Sequence, residues 1–147
     1  MRRFQFRLQR VLQWQQRVCR LEEDKLRLCL ADVAEVEQGL ARLAAERVAI
    51  EEEFSTQSAI APPDLRALAE FRKKTVLDRQ ALEQERENRL AVLAQQQQKL
   101  LAERRRLQVI EKLRERALLE HNRAADREFE ALSLESYLST WVSSNSR

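Results

Sequence analysis

The chain has 147 residues, of which 35% are charged, with one glycine and two prolines. Ala, Leu, Glu, Lys and Arg make up well over half of it, the composition of long helices rather than of a many-turned sheet. The net charge of +3 singles out no partner by sign alone.

No run approaches the roughly 20 apolar residues that span a bilayer, which argues against direct membrane insertion. Arg7, Arg10 and Gln13 break up the N-terminal segment, so it does not read as a secretory signal. There is no Gly-rich phosphate loop, no nucleophile beside a histidine, and no Cys/His cluster for zinc. The expectation is a non-enzymatic chain with no catalytic, cofactor-binding or metal-binding residues, in a reducing compartment.

Residues 2–20 carry Arg2, Arg3, Arg7, Arg10, Arg17 and Arg20 and no acid before Glu22. Phe4, Leu8, Val11 and Leu12 recur at helical spacing, so a first helix is expected over 3–57. Positive charge near a helix N-terminus opposes the macrodipole, and the cluster is a candidate for an acidic partner surface. A nucleic-acid role is not expected, because the stretch offers Arg and Gln but no Asn for base edges.

From Leu12 the sequence repeats every seven residues as Leu12, Cys19, Leu26, Val33, Leu40, Arg47 and Phe54. A second series reads Cys29, Val36, Leu43 and Ile50. Such a narrow apolar seam is the coiled-coil signature and requires a second helix to cover it. Cys19 and Cys29 lie on the seam as buried thiols, ~15 Å apart along one helix and too far for a bridge. Gly39 marks a close approach or a soft spot in this helix.

Ser55–Ser58 favour helix weakly, and Pro62–Pro63 forbid a continuing ladder, so a turn is expected at 58–63. Asp64 after Pro63 suits a helix start, and a second helix is expected over 64–131. Its seam is broad and interrupted. Leu65, Leu68, Leu82, Leu93, Leu100, Leu107 and Ile110 share their series with Arg72, Arg79, Arg86, Arg89, Gln96 and Glu103. Val76, Leu77, Leu90, Leu101, Leu118 and Leu119 fall off it and await another surface.

The fold expected is all-α: two long helices forming an elongated antiparallel coiled-coil hairpin in a single domain. Two parallel chains with a kink are the structural competitor. With the fold-back near residue 60, Phe4 is expected opposite a residue near 116, and everything after about 118 overhangs. His121 reads as a solvated residue there. The amphipathic segment 132–142 places Leu134, Tyr137, Leu138 and Trp141 at i, i+3, i+4 and i+7, a face that folds back or binds another protein. Residues 143–147 are expected as a frayed tail.

The opening Phe4-Gln5-Phe6-Arg7-Leu8-Gln9-Arg10-Val11-Leu12 resembles that of the flagellar export protein FliJ family. The resemblance continues through Leu21-Glu22-Glu23, the two long helices, Glu111-Lys112-Leu113, Arg127-Glu128 and Glu130. It departs from the family at Ser133–Val142, an aromatic, Ser-containing stretch where members have a mostly charged tail.

The resemblance implies a cytosolic coiled coil similar to the central stalk of rotary ATPases, working at the cytoplasmic face of the inner membrane. It implies three partners: the hexameric flagellar export ATPase, the membrane export gate and the export chaperones. In that reading the ring would meet Arg3, Phe4, Phe6, Arg7, Arg10 and Trp14 from one end of the chain and Leu134, Tyr137, Leu138 and Trp141 from the other. The gate would meet Phe71. A virulence-injectisome stalk and a generic cytosolic scaffold are the competing functions.

Overall fold

A computed structural model describes residues 3–145. The described residues are all-α, with two long helices paired as an antiparallel hairpin: α1, Gln9–Ser55, and α2, Pro62–Asn145. The chain divides into two compact units, to which both helices contribute. One takes Met1–Cys19 and Ala102–Arg147, the other Arg20–Leu101.

The helix ends follow local chemistry. α1 begins at Gln9 rather than at residue 3, with the Gln9 N–H donating to the Phe6 carbonyl at 3.1 Å. No acid lies in its first turn, and Arg3 and Arg7 oppose the dipole, so nothing draws the helix further back. At its other end the Ser55 and Thr56 hydroxyls donate to the Glu52 and Glu53 carbonyls, both at 2.8 Å. The Glu52 carbonyl also accepts the Thr56 N–H at 3.2 Å, so these hydroxyls add bonds to acceptors where the ladder runs out.

α2 starts two residues before the expected 64, on Pro62 itself, because proline in a first turn forfeits no bond. The N–H groups of Asp64 and Leu65 both donate to the Ala61 carbonyl, at 3.0 and 3.2 Å. The turn therefore occupies 56–61 instead of 58–63.

α2 also runs through 132–142 to Asn145 without the boundary expected at 131 and without a frayed 143–145; residues 146–147 lie outside the described chain. No proline or glycine follows Pro63 to end it. The late hydroxyls bond back within the helix: Ser133 to the Phe129 carbonyl at 2.9 Å, Thr140 to Ser136 at 3.0 Å, and Ser143 to Ser139 at 2.9 Å.

In the unit Arg20–Leu101, Val33, Val36, Leu68 and Leu100 are buried, and Leu26, Cys29, Leu40, Leu43, Ile50 and Phe54 are half-buried along α1. The heptad seam of α1 thus holds, apart from Arg47, which is exposed and pairs with Glu51 at 3.2 Å. On α2 every seventh residue from Leu68 is covered: Leu68, Thr75, Leu82, Arg89 and Gln96.

The accompanying series changes along the way. Leu65, Arg72, Arg79 and Arg86 are exposed, whereas Leu93 and Leu100 of that same series are covered. Two successive four-residue steps, Glu85 to Arg89 to Leu93, shift the covered face by one residue, as a local departure from the strict heptad does. Pairing is antiparallel: Arg86 meets Glu37 at 3.2 Å, Arg89 meets Asp32 at 3.7 Å and Glu35 at 3.6 Å, and Arg72 meets Glu51 at 3.6 Å.

Gly39 faces Leu82 across this seam, and an added Cβ would stand 3.8 Å from both Leu82 methyl carbons, an ordinary contact. No strained backbone requires glycine there, since no described residue has a positive φ. Gly39→Ala is expected to raise stability by about 1 kcal/mol, read from urea unfolding midpoints. A destabilised variant would mean that the helices need the missing methyl's space.

Candidate partner-binding surfaces

The unit formed by Met1–Cys19 and Ala102–Arg147 holds most of the residues expected at a partner surface. Its pairing is fixed by a polar clamp. The amide of Gln15, itself buried, donates to the Glu103 carbonyl at 3.2 Å and to the Glu103 carboxylate at 2.6 Å. Leu12 and Cys19 flank it, both buried, and Leu107, Ile110 and Ala117 are half-buried opposite.

Near its end the Phe4 ring lies 5.5 Å from His121, tilted by 49°. The residue opposite Phe4 is therefore 121, not 116, and His121 is half-buried rather than solvated. The reason is geometric: residues 3–6 are not helical, and extended chain advances about 3.3 Å per residue where a helix advances about 1.5 Å. The overhang consequently starts near 126, one half-buried turn beyond His121 at Ala125.

Arg3, Arg7, Arg10 and Arg17 are exposed and make no ion pair with any described residue; Arg2 lies outside those residues. Phe4 and Phe6 are half-buried. Trp14 is 62% exposed, and Val11 is exposed beside it, on the side of α1 away from Leu12 and Gln15. Val11 and Trp14 form an outward stripe that continues to the half-buried Val18; of these only Trp14 is expected from the sequence at a partner surface. Its signal is a second heptad, Trp14, Leu21, Leu28, and in the other unit Leu21 and Leu28 are also exposed.

From 126 to 143 every residue of α2 is exposed. Leu134, Tyr137, Leu138 and Trp141 lie on one face and are all more than half exposed, as are Phe129 and Leu132 elsewhere on the helix. The unbroken helix through Asn145 rules out a fold-back of this face over the N-terminal segment. The structure thus brings Phe4 to α2, leaves Arg3, Arg7, Arg10 and Trp14 exposed near the start of α1, and exposes Leu134, Tyr137, Leu138 and Trp141 on one face of α2.

The unit Arg20–Leu101 offers a groove of about 1020 Å³ with Leu40, Ala44, Thr75 and Val76 among its lining. The charges on its rim are paired with one another, Arg47 and Arg72 with Glu51 and Arg79 with Glu83. Phe71 does not line it. That ring is half-buried in line with Leu68 and Thr75, and its carbonyl accepts the Thr75 hydroxyl at 2.8 Å. Phe71 is thus part of the hairpin's packing as well as of its surface.

Among the described residues no three His, Cys, Asp or Glu side chains converge on a metal position, and no helix is long and apolar enough to cross a membrane. Compared with known proteins, the chain matches no family model, no curated protein and no solved structure. The off-seam leucines and valines Val76, Leu77, Leu90, Leu101, Leu118 and Leu119 are all exposed, as their positions required.

Proposed function

We propose that the chain is a non-enzymatic, stalk-like hairpin of a bacterial flagellar type III export apparatus. It would promote assembly of the hexameric export ATPase and connect it to the membrane export gate and the export chaperones. The observation that carries this reading is the set of exposed arginines without ion pairs around Trp14, in a unit from which the apolar C-terminal helix end also projects. Unpaired guanidinium groups beside an exposed indole suit an acidic, partly apolar protein surface. The opening Phe4-Gln5-Phe6-Arg7-Leu8 supports the assignment through its resemblance to the FliJ family. The site of action would be the cytoplasmic face of the inner membrane.

The test is to mix the purified chain with the export ATPase of the same organism and to follow hexamer formation and ATP turnover. Stimulation at substoichiometric amounts is expected, with at least about tenfold weaker binding for Arg3→Glu/Arg7→Glu/Arg10→Glu. Neither binding nor stimulation would leave a coiled-coil scaffold of another kind.

A further inference from the structure

We infer that the projecting end of α2 docks on the outward arginine–tryptophan face of a second copy of this chain, reciprocally, to give a closed dimer. Charge distinguishes the two surfaces. On the α1 side, Val11, Trp14 and the half-buried Val18 fall on one line by helical spacing, flanked by Arg10 and Arg17, with Arg7 in the turn just before the helix and no acid among residues 3–21. On the α2 side, Leu134, Tyr137 and Leu138 share a face with Glu130, and Asp126 and Glu135 flank it. From 126 to 145 the only basic residue is Arg127, against Asp126, Glu128, Glu130 and Glu135.

None of Arg7, Arg10, Arg17, Asp126, Glu130 or Glu135 makes an ion pair with a described residue. Each surface therefore combines exposed apolar side chains with uncompensated charge of one sign, and the two signs are opposite.

The lengths also match. Glu130 to Leu138 advances about 12 Å along a helix, and Val11 to Val18 about 11 Å. Each copy carries both surfaces, so a two-fold arrangement uses each surface once and closes. Laying two α2 ends on each other instead would bring acid against acid. The dimer rests on these surfaces alone and not on the export reading.

Sedimentation equilibrium of the nuclease-treated full-length chain, over a wide concentration series at low and high salt, tests it. A monomer–dimer equilibrium that weakens with salt is expected. Arg7→Glu/Arg10→Glu/Arg17→Glu should raise the dissociation constant at least about tenfold, and adding Asp126→Arg/Glu130→Arg/Glu135→Arg to the same chain should restore it. Leu134→Ser/Leu138→Ser should weaken association equally. All these positions are exposed, so circular dichroism should show unchanged helix. A monomer at every concentration, or self-association abolished by nuclease, would overturn the proposal. So would a dimer indifferent to the arginine reversals, which would point to α2 ends pairing with each other.

Discussion

Leu100→Ala is expected to lower stability by about 3 kcal/mol, and the same change at the adjacent Leu101 by no more than about 0.5 kcal/mol. Leu100 is 4% exposed and Leu101 50%, although both are leucines in one helix. A step of one residue turns the side chain by about 100°, from the paired face to the solvent face. The loss at Leu100 sits at the middle of the usual range because a hairpin seam is narrow and partly able to close over the gap. Urea midpoints for the two variants, with helicity as the signal, decide it. Equal losses would mean that the hairpin does not pair on this face.

The second large effect concerns the buried polar groups. The Gln96 amide donates to the Glu22 carbonyl at 3.1 Å and to its carboxylate at 2.6 Å, while the Lys25 ammonium reaches the other carboxylate oxygen at 2.7 Å. Gln96→Ala is expected to cost about 2 kcal/mol, since it removes a bond to a charged group and leaves a cavity. Glu22→Leu/Gln96→Leu should recover that loss or exceed the parent, because two apolar partners carry no desolvation cost.

What the double variant loses is alignment. Leucine pairs tolerate a shift along the seam that an amide–carboxylate clamp does not, a role that buried polar residues take in other coiled coils. Inter-helix distance distributions from paired spin labels should broaden in it. A double variant less stable than Gln96→Ala would show that the clamp is a net source of stability instead.

Acid should act through the same clamp. Lys25 and then Gln96 hold the Glu22 carboxyl below its ordinary value of 4.5. Its contribution is complete above that value and is lost as pH falls through the lower folded-state value, so Glu22→Gln and the parent should converge in acid.

The hairpin was legible because periodicity and proline act locally. A seven-residue repeat demands a covering helix whatever that helix is, and Pro62–Pro63 must interrupt the ladder. The covered face of α2 was harder, because its members are Thr75, Arg89, Gln96 and Glu103, whose burial depends on what lies across from them. Nothing in Gln96 alone announces a carboxylate opposite it.

The boundary expected at 131 is not found, since no residue there ends a helix and α2 runs on to Asn145. The exposure of Arg7 and Leu138 was legible in part, from charge and helical spacing. The meeting of Phe4 with His121 was not, since it depends on how many residues remain extended before α1 begins.

One consequence of the seam lies in the heat capacity. No large side chain among the described residues is fully enclosed, and even Leu12 and Leu100 keep 4% of their surface. Unfolding therefore wets less new apolar surface per residue than it does in a compact domain. The heat-capacity increment should fall below the usual 12–15 cal/mol/K per residue, which is about the range for globular chains. A small increment flattens the dependence of stability on temperature. The chain should lose little stability on cooling, and its thermal transition should be governed by enthalpy that changes slowly between cold and warm conditions.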